Sequence, residues 1–260
     1  MHAIAIILFG IIVLFVSLIL LTIGLNALLY SIMSILAPLV AIFIGLLGIS
    51  FFGRESFLKE DRYHTFNVWI ALGLIFFSLA DITAILVFMT EDASQICFAV
   101  SLVQVPGLFL WVLGILGYFK ALNASLRLTE GTQLWLAVGV ITTLASLSLV
   151  VIFAIISPTR NILATIVGVP VIVVLGLIVC VISGILWVFR EGYIARSLAL
   201  LLFGVVLLLI RSIFWQVEDY CGGNPLSPIT AIESYLLVGA SFLLANNLNL
   251  IFESSEEGME

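Results

Sequence analysis

A strongly apolar part of the chain reads Ser197-Leu-Ala-Leu-Leu-Leu-Phe-Gly-Val-Val-Leu-Leu-Leu-Ile-Arg211. A helix of about 20 such residues crosses the hydrocarbon core of a bilayer, so this segment predicts a transmembrane helix. Its last residue, Arg211, cannot lose its proton and is costly in hydrocarbon unless it is paired or hydrated. The segment therefore predicts the class of fold and supplies the first candidate functional residue.

The composition of the whole chain also indicates a membrane protein. Of 260 residues, 63% are hydrophobic and 9% are charged, and the mean hydropathy is +1.36. A soluble domain carries roughly a quarter charged residues, so little soluble mass is expected. The net charge is −6, and the acidic residues at 253–260 argue against nucleic acid or an anionic lipid surface as a partner. Two histidines and three cysteines are too few for a metal cluster, and we expect no metal and no cofactor.

The apolar runs predict an all-α, polytopic transmembrane helix bundle of eight helices. Residues 1–252 form this single bundle, and residues 253–260 form an acidic cytoplasmic tail. The predicted spans are 3–24, 27–53, 65–90, 95–120, 133–157, 162–189, 197–220 and 229–252. Seven helices are the alternative, which applies if Gly24 does not reverse the chain and one segment lies in the membrane interface.

The basic residues predict the orientation of the bundle. Seven of the nine lie in alternate connections: Arg54, Lys59, Arg62, Lys120, Arg127, Arg190 and Arg196. Cytoplasmic connections carry an excess of Lys and Arg, so these three connections and the C-terminus are predicted to be cytoplasmic. With eight spans the N-terminus is cytoplasmic too, whereas with seven it lies outside.

Three carboxylates are predicted to lie with Arg211 in the outer part of the membrane: Asp81, Glu218 and Glu233. One interpretation is a polar pocket, open outward, in which Arg211 binds a lipid headgroup or a small anionic ligand. The other is a buried pair of Arg211 with Asp81 or Glu233 that locks helices together.

Two further polar side chains join the candidate site, and two cysteines are candidates for a disulfide. Trp215 follows Arg211 at i+4 and shares its helix face, and Gln104 in the fourth span can hydrogen-bond across helices. Cys97 and Cys221 both fall on the predicted outer side, where a disulfide is permitted. Cys180 is expected to be buried in the sixth span.

Residues 211–222 resemble the signature of the fungal lipid-translocating exporter-like (RTA-like) membrane family. The matching order is Arg211, Phe214, Glu218, Gly222 and then Glu233 at the start of the last helix. The resemblance covers residues 211–233 only. It implies a protein linked to lipid movement, or to lipid and stress sensing.

The first functional hypothesis is therefore a receptor-like or lipid-handling membrane protein, with membrane lipids among its partners. The alternatives are an ion-coupled transporter or channel, and a structural subunit that binds another membrane protein or its own copy through small residues such as Gly107, Gly114 and Gly117. The sequence contains no recognisable catalytic motif, so we do not expect an enzyme. A continuous polar path would favour a transporter, and a lipid-facing apolar groove would favour lipid handling.

Overall fold

The computed structural model describes residues 2–58, 62–88, 93–126, 148, 151–152, 162–192, 194–217 and 224–257. These residues contain seven α-helices that are long and apolar enough to cross a membrane. In chain order they are α1 (His2–Thr22), α2 (Asn26–Leu58), α3 (Arg62–Phe88), α4 (Ala93–Leu126), α5 (Ile162–Val188), α6 (Ile194–Val217) and α7 (Leu226–Glu257). The chain is an all-helical, multi-pass integral membrane protein in the part that the structure describes.

The number of helices in the described residues is seven, which is the alternative number and not the eight first predicted. Each of the seven corresponds to one predicted span. The remaining predicted span, 133–157, lies outside the described residues. The α7 helix continues to Glu257, so it extends through the first residues of the predicted acidic tail.

The chain reverses at Gly24, between α1 and α2. Gly24 has φ of +84°, a left-handed conformation that glycine adopts without a steric penalty. The Leu25 N–H donates to the Leu20 carbonyl, and the Gly24 N–H donates to the Leu21 carbonyl, each at 3.1 Å. This pair of hydrogen bonds is the Schellman motif that ends many helices. The seven-helix alternative assumed that Gly24 does not reverse the chain, and this assumption is therefore wrong.

The last helix, α7, is the most enclosed of the seven. Of its apolar stretch 78% is buried, compared with 17% for α1. It packs against α1, α2 and α6. It runs parallel to α2, because a Cβ on Gly48 would lie 2.6 Å from the Phe242 ring and Gly239 lies against Ile44. These glycines allow the two helices to approach closely.

Helix α6 runs antiparallel to α7. Ser197, near the start of α6, donates to the Ser241 carbonyl at 3.0 Å, and Ser234 donates to the Gly204 carbonyl at 2.7 Å. Each hydroxyl group donates a hydrogen bond to a backbone carbonyl of the neighbouring helix, which is common for serine in membrane bundles. The pairing fixes the register of α6 on α7.

Helix α3 is antiparallel to both α2 and α4. Ser78 donates to the Pro38 carbonyl of α2 at 3.1 Å. On the other side, Gly73 lies against the ring of Trp111, whose Nε1 donates to the Ile70 carbonyl at 2.9 Å. A buried tryptophan needs such a partner for its N–H.

The position of Cys180 differs from the prediction. The sequence placed it inside the bundle, but it lies on the exposed face of α5 as a free cysteine. An apolar helix face that contacts lipid is as hydrophobic as one that contacts protein, so hydropathy alone does not distinguish the two.

Candidate functional site

Asp81 and Arg211 form a buried ion pair between α3 and α6. Arg211 Nη2 lies 2.5 Å from Asp81 Oδ1, and the two side chains expose 5% and 4% of their surfaces. Asp81 lies seven residues before the end of α3, and Arg211 lies six residues before the end of α6. At 1.5 Å per residue, both lie about 10 Å from the same end of the bundle. Of the two carboxylates considered as partners for Arg211, Asp81 is the one that pairs with it.

Two hydroxyl groups of α7 complete the surroundings of the pair. The Tyr235 hydroxyl donates to Asp81 Oδ2 at 2.7 Å and accepts from Arg211 Nη1 at 3.3 Å. Arg211 Nε donates to Ser227 Oγ at 3.1 Å. We call Asp81, Arg211, Ser227 and Tyr235 the Arg211 cluster. Sequence reasoning missed Tyr235 and Ser227, because hydroxyl groups in an apolar helix are common and only the fold aligns them.

The Arg211 cluster connects three helices through one compensated charge pair. Burying an isolated ion costs several kcal/mol, and an ion pair offsets this only when its remaining polar atoms are hydrogen-bonded. Both oxygens of Asp81 accept a hydrogen bond, one from Arg211 and one from Tyr235. The cluster therefore holds α3, α6 and α7 together near one end, and an external anion would have to displace Asp81 to take its place.

Glu233 does not belong to the Arg211 cluster. It lies two residues before Tyr235, which places the two side chains about 200° apart around α7. Its Oε2 lies 2.8 Å from the position of a Cβ on Gly10, so the carboxyl group contacts α1. Its Oε1 is buried and has no hydrogen-bond partner among the described residues.

The other predicted site residues are not brought into the cluster by the described part of the chain. Gln104 is buried in α4, and the hydrogen bonds described above between Asp81, Arg211, Ser227 and Tyr235 do not involve it. The side chain of Trp215 and the whole of Glu218 lie outside the described residues. The same holds for the side chain of Cys97 and for Cys221, so their disulfide stays a prediction.

A second polar group lies toward the opposite end of the bundle. The Tyr63 hydroxyl and Ser197 Oγ are 3.0 Å apart, and Ser197 Oγ lies 3.0 Å from Ser241 Oγ. Between this group and the Arg211 cluster, α6 and α7 bury apolar side chains, among them Leu201, Val205, Leu208 and Val238. The buried Ser78 and Ser234 lie between the two groups, and each donates to a backbone carbonyl of the neighbouring helix. The described side chains in this region therefore do not form one continuous polar path.

An apolar groove of about 390 Å³ separates α1 from α2. Helix α1 lines it with Ala5, Ile6 and Phe9, α2 lines it with residues between 39 and 44, and Leu236 of α7 closes it from behind. Phe9 and Phe43 are exposed on its walls, so the groove opens on the outer surface of the bundle. In a bilayer this surface contacts lipid.

No family model, curated protein or solved structure matches the chain. Among the described residues, no group of three or more His, Cys, Asp or Glu side chains is placed to hold a metal ion. The class that the helices define is an integral, multi-pass membrane protein.

Proposed function

We propose that this chain is a receptor-like or lipid-handling membrane protein that binds a lipid in the groove between α1 and α2. The groove carries this proposal, because it is almost wholly apolar, opens toward the membrane and is walled by the least buried helix. Its volume of about 390 Å³ falls in the range of small-molecule sites, roughly 300–1,000 Å³. Membrane lipids are the apolar ligands present at the highest concentration around such a groove.

The polar side chains favour lipid binding over ion conduction. A conducting protein needs a chain of polar groups across the hydrocarbon region. In the part of the chain that the structure describes, packed apolar side chains such as Val205 and Val238 lie between the Arg211 cluster and the hydroxyl group of Ser197. The buried Ser234 in this region donates to a backbone carbonyl and not to another polar side chain. In this proposal the Arg211 cluster holds α3, α6 and α7 together. Helix α1, which lines the groove, packs against α7.

Two of the three glycines that suggested a structural subunit are not available for a partner protein. Gly107 and Gly114 were candidates for a surface that binds a partner protein. Both pack inside the chain instead, since a Cβ on Gly107 would lie 2.9 Å from the Gly73 carbonyl and one on Gly114 would lie 2.7 Å from Trp69 Cβ. Only Gly117 of the three has nothing within 4 Å.

We also propose that the chain crosses the membrane eight times, with the C-terminus in the cytoplasm. Helices α2, α4 and α7 point one way, and α3 and α6 point the other way. A connection of only residues 189–193 joins α5 to α6, and the two pack together, so they are antiparallel neighbours. Helix α5 then points the same way as α4, and the eighth crossing is the predicted span 133–157, which lies outside the described residues.

Bound lipid in the purified protein tests the function. We expect the full chain, purified in mild detergent, to retain lipid that native mass spectrometry detects. Ala5→Trp fills the groove and should remove that lipid, whereas Ala27→Trp, an exposed position of α2 outside the groove, should leave it in place. Equal lipid retention by both variants would contradict the proposal. A protein without bound lipid, in both detergent and nanodiscs, would contradict it as well.

A further inference from the structure

Glu233 carries a buried carboxyl oxygen, Oε1, that has no hydrogen-bond partner among the described residues. Its other oxygen, Oε2, lies 2.8 Å from the position that a Cβ on Gly10 would occupy, so the carboxyl group fills the space beside that glycine of α1. Most buried polar atoms in proteins are hydrogen-bonded, and one that is not requires a specific explanation. The contact between α7 and α1 therefore contains an acidic group whose buried oxygen the described residues do not compensate.

This carboxyl group lies in the interior of the membrane and not at its surface. Gly10 follows the start of α1 at His2 by eight residues and precedes its end at Thr22 by twelve. At 1.5 Å per residue these separations are about 12 Å and about 18 Å, and Glu233 lies about 10 Å from the start of α7. Bulk water on either side is therefore about 10 Å or more away along the helices.

Among the described residues, no positive charge faces this carboxyl group. Helix α7 packs against α1, α2 and α6. Residues 3–22 of α1 contain no titratable side chain, and α2 contributes Tyr30, which carries no positive charge. Helix α6 contributes Arg211, which pairs with Asp81 of α3, and Tyr235 of α7 bonds to the same aspartate. The other ionisable residues of α1, α2 and α6 lie at the end of the bundle opposite to the Arg211 cluster: His2, Arg54, Glu55 and Arg196.

We propose that Glu233 is a proton-binding site in the membrane interior, and that the bound proton stabilises the contact between α1 and α7. An ionised carboxylate without a partner is far more costly in an apolar environment than the neutral acid. The neutral acid is therefore the form that this contact accommodates. Loss of the proton places an uncompensated charge against α1, which is the least buried helix of the seven. This inference goes beyond the lipid-binding function proposed above and does not depend on it.

A hydrophobic carbodiimide, dicyclohexylcarbodiimide, detects a protonated carboxyl group in a bilayer. The acid proton moves to one nitrogen of the reagent while the carboxyl oxygen bonds to its central carbon. The acyl group then migrates to a nitrogen of the same adduct, so the stable N-acylurea retains every atom of both reactants. We expect peptide mass spectrometry of the full chain, treated in nanodiscs at about pH 7, to locate this adduct on Glu233. A glutamate in water titrates near pH 4.3, so only about one in 500 is protonated at that pH.

Two other carboxylates of the same chain are controls for the labelling. Asp81 is compensated by Arg211, and Glu191 is exposed in the connection between α5 and α6. Neither combines a bound proton with an apolar site, so each should be labelled at least about tenfold less than Glu233. Glu233→Gln should remove the adduct altogether.

The pH dependence of thermal melting tests the effect of the proton on stability. The folded contact retains the proton, whereas the unfolded chain loses it above about pH 4.3, so stability should fall as the pH rises. Between about pH 5 and about pH 8, we expect the wild type to lose at least about 2 °C more in melting temperature than Glu233→Gln, which carries no charge at either pH. Glu191→Gln should keep the pH dependence of the wild type.

Three outcomes would overturn the inference. The first is the absence of an adduct on Glu233, because this side chain is only partly buried and the reagent can reach it from the bilayer. The second is labelling of Asp81 as strong as that of Glu233, since a compensated carboxylate would then react equally well. The third is an equal pH dependence of melting in the wild type and Glu233→Gln, which would show that no proton on Glu233 stabilises the fold.

Discussion

Glu233 and Tyr235 lie two residues apart on α7, and their side chains project from opposite faces of the helix. Tyr235 donates to Asp81 of α3 inside the bundle, whereas Glu233 contacts Gly10 of the loosely packed α1. The two acidic groups of the described membrane interior are thus in different surroundings. Asp81 is compensated by Arg211, and Glu233 lies beside an apolar groove.

The Arg211–Asp81 pair should be required for stability. Arg211→Leu leaves the Asp81 carboxylate buried without its cation, so the free energy of unfolding should fall by about 3 kcal/mol or more. Adding Asp81→Asn removes the buried charge and should restore much of the loss, whereas adding Glu233→Gln should restore nothing. Thermal melts in detergent on the single and double variants measure these differences.

A control on the same helix is Arg196→Leu. Arg196 is exposed near the start of α6, so its removal should change the free energy of unfolding by no more than about 0.5 kcal/mol. An Arg211→Leu variant that melts like the wild type but loses an anionic ligand would instead support a hydrated pocket at Arg211.

The hydroxyl group of Tyr235 should contribute more to the free energy of unfolding than a hydroxyl group that bonds only to a neutral partner. Tyr235→Phe leaves Asp81 Oδ2 without its donor, and we expect a loss of about 1–3 kcal/mol in the free energy of unfolding. Tyr63→Phe is the matched comparison, because its hydroxyl group contacts the neutral Ser197. A hydrogen bond to a charged group is about twice as strong as one between neutral groups, so the Tyr63 variant should lose less. An equal or larger loss in Tyr63→Phe would contradict the role assigned to the cluster.

Much of the fold could be predicted from the sequence, because a bilayer imposes a strict length and polarity on every crossing segment. The helices that the structure describes coincide with apolar runs, including the pair separated by Gly24. What the runs do not specify is the rotation of each helix about its axis. Cys180 illustrates this, since its helix was predicted but its exposed position was not.

Part of the candidate site could also be predicted from the sequence, because the bilayer restricts where a charged side chain can lie. Arg211 needs a partner in hydrocarbon, and few carboxylates lie at its depth, so Asp81 and Glu233 were both candidates. The choice between them depends on which helix faces α6, and that is decided by packing over the whole bundle. Tyr235 and Ser227 had no distinguishing sequence signal, although the two-residue spacing of Glu233 and Tyr235 already placed them on opposite faces.

Close packing of α3 on α4 should make Gly73 intolerant of a side chain. A Cβ at Gly73 would collide with the Trp111 ring and would lie 2.9 Å from the Gly107 carbonyl. Gly73→Ala should therefore lower the free energy of unfolding by about 1–3 kcal/mol, as overpacking commonly does. Gly117→Ala on α4 is the control, since nothing lies within 4 Å of that position. Alanine favours a helix over glycine by up to about 1 kcal/mol, so this variant should be neutral or stabilised in a thermal melt.

The eight-crossing topology predicts opposite accessibility at the two ends of the segment between α4 and α5. In a background without Cys97, Cys180 and Cys221, single cysteines at Ser56 and Ser125 should react only with reagents that enter the cytoplasm. Cysteines at Ser94 and Ser157 should react with an impermeant reagent added outside. The physical reason is that, in the proposed topology, α4 and α5 point the same way with the predicted span 133–157 between them. The basic residues Lys120 and Arg127 favour a cytoplasmic position for the connection after α4. Labelling of Ser125 and Ser157 from the same side would reduce the number of crossings by one, and labelling of Ser56 from outside would invert the whole bundle.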